Sequence, residues 1–324
     1  MSNEGGMLNA FVLDGKGGGR EITWDGVRSW QPTAGPLWVH LDRSNPESGR
    51  WLREESGLDA LTCEALLAEE TRPRSLSSGD GLVVILRGVN LHPGADPEDM
   101  VSIRMWVEPH RVVTLRHKRV MAVQDVRDSL EEGKGPRDAA DLLVRIAARM
   151  IDRMGPVIEE LDEAVDDIEE EILTARRQEL RAKLADLRRQ AIMLRRYIAP
   201  QREAMSRLQQ EDVEWITPVL RARLREIGDR VIRYVEDLDA ARERAAVTHE
   251  ELVGRLAEEM NRTMFMLAIV AVVFLPLGLL TGLLGINVAG IPFAEHRWAF
   301  GAVCAFLVII AAGEVYLFHR LKWV

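Results

Sequence analysis

The sequence predicts an α+β membrane protein: a cytosolic α/β domain, then a long helical stalk, then two transmembrane helices. Three observations carry that prediction. Val- and Ile-rich runs separated by turn residues fill the first third, as strands do. Apolar residues at helical spacing fill the middle. Two long apolar runs close the chain, and no charged residue lies between Thr263 and Ala294. Met264–Leu284 is long enough to cross a bilayer, which takes roughly 20 apolar residues. A second run goes from Trp298 to about Phe318. The predicted parts are 1–135, 136–262 and 263–324.

In chain order, Met7–Leu13 and Leu37–Leu41 read as short strands bounded by Gly and Pro. Pro46–Glu55 and Asp59–Ala68 read as helices. Leu82–Asn90, Val101–Val107 and Arg111–His117 are stronger strands, the last two joined at Glu108-Pro109-His110 as a hairpin. Met121–Glu131 reads as a helix, and the α/β part ends near Lys134-Gly135-Pro136. Arg137–Leu173 then forms one helix, with Leu142, Ile146, Met150, Val157, Leu161, Val165, Ile168 and Ile172 on its apolar stripe. A bend at residues 175–177 leads into a second helix, Gln178–Gln210. Pro218 starts a third, whose stripe runs through Leu224, Ile227, Val231, Val235 and Leu238 into the first span without a break. At ~1.5 Å per residue it reaches on the order of 100 Å.

The chain has 324 residues and a formal net charge of −9. A negative balance argues against nucleic acid as a partner and is compatible with attracting cations. Cys63 and Cys304 are isolated and no CxxC occurs, so no disulfide framework is expected. No signal peptide is visible in MSNEGGMLNAF, and a reducing, cytosolic body is the expectation. Arg255 and Arg262 precede the first span; His319, Arg320 and Lys322 follow the second. The loop between holds only Arg297, balanced by Glu295. The positive-inside rule then puts both termini in the cytosol and the loop outside, as in a two-span inner-membrane protein. Trp298 and Trp323 sit where interfacial aromatics anchor a span.

Two helices cannot enclose an aqueous path, so a pore built from this chain needs several copies. The first span is the better liner, because Ala268, Ala271, Gly278 and Gly282 permit close helix approach. Helical stacking from Asn261 selects one stripe: Asn261, Met264, Leu267 or Ala268, Ala271, Leu275, Gly278 and Gly282. That stripe offers no charged ligand and would gate by dewetting. Ordinary helix packing explains it about equally well. Pro276 removes a backbone bond and loosens the helix. The span ends at Gly285-Ile286-Asn287. A ring of Asn287 amide oxygens could hold the water shell of a divalent cation without stripping it. The plain alternative is a helix C-cap.

These residues carry a resemblance. The hairpin resembles the CorA family of divalent-cation transporters, whose spans are joined by a Gly-Met-Asn loop. Here the triplet is Gly285-Ile286-Asn287, and the continuation Val288-Ala289-Gly290-Ile291-Pro292 is similar to the ZntB zinc-transporter branch. The tail His319-Arg320-Leu321-Lys322-Trp323-Val324 is similar to that branch's basic, Trp-containing end. The resemblance covers the whole chain in layout and is specific from about Asn261 onward. It implies a homopentameric funnel with a central pore lined by the first span, Asn287 at its mouth, and zinc or related divalent metals as cargo. It places Asn261, Met264, Leu267, Leu275 and Gly278 at pore constrictions. Gly278 departs from the polar residue that some magnesium-transporting relatives carry there.

Zinc prefers Cys, His or carboxylate ligands, and the stripe has none. Glu295 and His296 in the outer loop are the nearest candidates for metal capture, with plain loop the commoner outcome for such a pair. Glu314 is the ionisable residue well within a span, which makes it a candidate for a proton-linked role. The acidic run Glu159–Glu171 could gather cations or bind regulatory metal, but a solvated helix face is the commoner meaning. His40, His92, His110, His117 and His249 are scattered, with no HxxxH or HExxH spacing. No P-loop, nucleotide fingerprint or GxSxG occurs, so the expectation is a transporter and not an enzyme, with no covalently bound cofactor. The rival within the fold is a magnesium, cobalt or nickel channel. The rival of another class is a non-conducting, membrane-anchored scaffold or sensor.

Overall fold

The structure, a computed structural model, describes residues 4–172, 177–211, 213–286 and 296–320. It divides into two compact units, Met1–His249 and Glu250–Val324. The first unit begins with β1 (Met7–Leu13), β2 (Gly19–Glu21), α1 (Trp24–Ser29) and β3 (Leu37–Asp42). Then come α2 (Pro46–Glu54), α3 (Ala60–Leu67), β4 (Arg74–Ser78), β5 (Gly81–Gly88), β6 (Val101–Glu108) and β7 (Arg111–Arg116). The helices α4 (Met121–Glu131), α5 (Ala139–Asp152), α6 (Gly155–Glu171) and α7 (Arg177–Gln210) follow. The long α8 (Pro218–Gly285) contributes to both units, and α9 (Ala299–Arg320) ends the second.

The seven strands form one sheet in the order β2-β1-β3-β7-β6-β5-β4. All neighbours are antiparallel except β3 and β7, which run parallel with His40 opposite Thr114 and Asp42 opposite Arg116. Side chains alternate between the faces, as the period of two requires. Leu82, Val84 and Leu86 pack with Trp38, Ile103 and Met105 into a core that continues through α4, α5, α7 and α8. Val83 and Ile85 join Leu37, Val39 and Leu41 beneath α2 and α3, where Trp51, Leu52, Cys63 and Leu66 are buried. The unit is therefore three-layered. Buried Arg104 on β6 donates to the carbonyls of Leu66 (3.0 Å) and Glu69 (3.3 Å) at the end of α3. A cation is favoured there by the unpaired carbonyls of a helix C-terminus. Burial still pushes its pKa down to about 10.

The strongest strands fall where their Val and Ile content placed them. β2 and β4 went unread because Gly-Arg-Glu and Arg-Ser-Leu-Ser-Ser carry almost no apolar signal; each is an edge strand. The single helix expected over Arg137–Leu173 is two. α5 ends at Asp152 and α6 restarts at Gly155, with Pro156 in its first turn. Proline lacks the N–H that helix continuation needs, yet suits a first turn, where that group has no partner. Ala175 and Arg176 of the expected bend lie outside the described residues.

Candidate ion-pathway site

α8 and α9 are each long and apolar enough to cross a membrane. Within the second unit, each carries one partly covered face. On α8 this face holds Ile269, Val273, Pro276, Leu277 and Leu280; on α9 it holds Val303, Leu307, Ile310, Ala311, Glu314 and Phe318. Both sets follow helical spacing, so each helix has one side turned to cover and one left open.

The stripe selected from sequence lies on the open side of α8. Asn261, Met264, Leu267, Ala268, Ala271, Leu275, Gly278 and Gly282 are all exposed in the single chain, Leu275 at 71%. At 3.6 residues per turn they span an arc of ~120°, roughly opposite the covered face. Nothing lies within 4 Å of a Cβ built on Gly278, Gly282 or Gly285. Packing inside this chain therefore does not require glycine there, whereas a second backbone approaching closely would. Pro276 sits inside the helix. Its missing N–H denies the Val272 carbonyl its usual partner. One turn on, the Thr281 hydroxyl donates to the carbonyls of Leu277 (2.9 Å) and Gly278 (3.1 Å). The polar hydrogen of this threonine is thereby held by its own helix.

Gly285 closes α8 and exposed Ile286 follows. Asn287 and Glu295 lie outside the described residues, as do Lys322 and Trp323. The Glu295–His296 pair therefore has one described member, and His296 sits edge-on to Trp298 with ring centroids 5.7 Å apart. Glu314 is on the covered face of α9, with its Oε2 enclosed and, among the described residues, lacking a hydrogen-bond partner. An enclosed carboxyl oxygen with no donor is costly when ionised.

In the first unit, the acidic α6 is partly answered by α8. Arg244 pairs with both Asp162 and Asp166, and Arg230 with Asp152 of α5. Glu169 accepts from the Thr248 hydroxyl at 2.9 Å. Burial opposes the charge of Arg244, but the Asp162 and Asp166 carboxylates outweigh it and hold its pKa above the ordinary value. Burial, with Asp162 and Glu236 nearby, pushes the Asp237 carboxyl above its usual range. Part of the run expected as a solvated face is thus an ion-paired seam. Its stability contribution is modest, because the partners are a third or more exposed. Both cysteines are free, Cys63 buried and Cys304 exposed.

Comparison with known proteins gives a consistent picture. The family model described as "CorA-like Mg2+ transporter protein" matches residues 33–320. The divalent cation transporter CmaX of Pseudomonas aeruginosa is 40% identical over 325 residues, covering 99% of this chain and 98% of that protein. The zinc transport protein ZntB of Pectobacterium carotovorum is 37% identical over 318 residues, covering 98% and 96%. The solved structure of full-length CmaX superposes with a TM-score of 0.87 at 39% identity, covering 99% of each chain.

Proposed function

This chain belongs to the CorA-like Mg2+ transporter family, a family of divalent-cation transporters, and from that membership we propose that it moves zinc across the inner membrane as a homopentamer. The observation that carries the proposal is the open, uncharged stripe of α8 on the side away from its covered face. One hairpin has no lumen. Five copies bringing Asn261, Met264, Leu267, Ala271, Leu275, Gly278 and Gly282 together around an axis would line one.

In such a pore the cation moves with much of its water, because the stripe supplies no ligand that could replace it. The Leu275 level is the apolar constriction, and dewetting there would stop flux without a moving plug. Asn287 oxygens at the outer mouth would accept from the cation's water shell. Gly285 and Ile286 would set the loop that presents them. Glu295 and His296 would serve as a capture pair ahead of that ring. Both termini would face the cytosol, from the charge flanking the spans.

Zinc is favoured over magnesium because the ZntB relative is named for zinc and the triplet carries Ile286. CmaX is named only for divalent cations, so magnesium, cobalt and nickel are the competing cargo. Flux into proteoliposomes loaded with a metal-sensitive dye, with zinc tested against magnesium, separates them. We expect zinc flux that falls at least tenfold in Asn287→Ala while the oligomer persists. Magnesium flux exceeding zinc flux would reassign the cargo, and unchanged flux in Asn287→Ala would remove the amide ring. Glu314, enclosed and without a donor, is the candidate proton carrier. Glu314→Gln should flatten the pH dependence of uptake, and an unaltered profile ends that role.

A further inference from the structure

We propose that the Met1–His249 unit binds a phosphate-type oxyanion in a cavity beside the parallel strand pair β3–β7. The cavity holds about 290 Å³, and its polar lining comes from Asn9, His40, Arg116, Arg119, Gln124 and Arg127. Three guanidiniums meeting in one pocket is unexpected in a chain of net charge −9. The fold explains the meeting. β3 and β7 run parallel, and Arg116 closes β7 opposite Asp42. Crevices beyond the carboxyl ends of parallel strands are where open sheets receive ligands. The first turn of α4 borders the same cavity through Val120, Val123 and Gln124, and its N-cap has no side-chain hydrogen bond. The Val123 N–H already donates to the Val120 carbonyl at 3.1 Å, and the two N–H groups ahead of it favour an anion.

The cations there are poorly answered by the protein. Arg116 is half-buried, and among the described residues its guanidinium makes no hydrogen bond or ion pair; Asp42 acts on it only at a distance. Burial, with Arg119 nearby, lowers its pKa. Arg119 is bonded to the neutral amide of Gln124. Among the described residues only Arg127 of the three is tied to carboxylates, Asp128 at 2.9 Å and Glu131 at 3.9 Å. A half-buried unpaired guanidinium is destabilising unless something anionic joins it.

The neutral groups complete the match. His40 is 3% exposed, and its Nδ1 lies 2.8 Å from the Thr114 hydroxyl. That oxygen already accepts from Trp38 Nε1 at 2.9 Å. The hydroxyl itself donates to the Val39 carbonyl at 3.3 Å, and its oxygen has a second lone pair that can accept from the His40 ring. Asn9 Oδ1 is enclosed and has no donor. Monohydrogen phosphate presents three acceptor oxygens to the guanidiniums and one hydroxyl donor to Asn9. Sulfate has no such donor, and a site with an unmet acceptor discriminates against it.

The test is calorimetric titration and thermal melting of the full chain in detergent, with inorganic phosphate against ionic-strength-matched chloride. Saturable phosphate binding is expected, at least tenfold tighter than sulfate, with a raised Tm. Arg116→Gln should weaken it at least tenfold, while melting no lower than the parent in phosphate-free buffer. Arg119→Gln should weaken it in the same way. No saturable binding beyond chloride, equal affinity for sulfate, or undiminished binding in Arg116→Gln each overturns the proposal. So does an Arg116→Gln protein that melts lower without phosphate, since that exposes a structural partner for the guanidinium. Doping the micelles with phosphatidic acid, with no inorganic phosphate present, should give no protection; protection by the lipid would assign the cavity to a headgroup instead.

Discussion

His40 shows how much one buried side chain can couple stability to pH. Burial foremost, then Arg116, takes its pKa from 6.5 down to about 3, with a hydrogen bond to the Thr114 backbone opposing. The unfolded chain therefore binds more protons between those values, and stability falls as pH drops through that window. From pH 7 to pH 5 the loss from this one group is about 2 kcal/mol, at ~1.4 kcal/mol per full unit. His40→Gln keeps a neutral polar group and removes the titration. Its apparent Tm, measured by tryptophan fluorescence in phosphate-free buffer, should fall less between pH 7 and pH 5 than that of the parent. Identical pH dependence would mean that His40 titrates in the fold as it does in the unfolded chain. At the same scale, Arg104 and Glu314 are ionisable groups placed where water is scarce. Arg104 has helix carbonyls to answer it, and Glu314 Oε2 has no donor.

At the scale of elements, α8 is the piece on which the proposed pore turns. Its glycines have open space around them in the single chain. Gly278→Leu should therefore leave the chain folded by circular dichroism, yet dissociate the oligomer or abolish flux. Full assembly with undiminished flux would show that this face touches neither a neighbour nor an ion. The stripe was legible in the sequence because apolar residues at steps of three and four mark a helix face. The Val-rich strands β5, β6 and β7 were legible for the matching reason of composition. β2 and β4 were not, since edge strands are held by backbone bonds and need little apolar content. The α5–α6 break was hidden by apolar spacing that runs straight through it, while Pro156 was the available sign. The oxyanion cavity was beyond reach of the sequence. Asn9, His40, Arg116 and Arg127 come together only through the β1–β3–β7 pairing and the return of α4, and no local pattern records that.

At the scale of the whole molecule, the second unit carries two exposed apolar helices. Met264, Leu267, Leu275, Phe300 and Ile309 all lie largely open in one chain. Exposed apolar surface on this scale demands lipid, other copies, or both. The family supplies the transporter, and in the proposed pore the open stripe of α8 is the face that copies turn inward. The most direct test is cysteine accessibility during zinc flux. Cys304 is first replaced by serine, and buried Cys63 is left in place. Single cysteines are then put at Leu275, on the open face, and at Leu277, on the covered face. A charged, water-soluble thiol reagent is applied to proteoliposomes while zinc uptake is followed. The account predicts that the reagent stops flux through Leu275→Cys and spares Leu277→Cys. Block at 277 with none at 275, or block at neither, would contradict it.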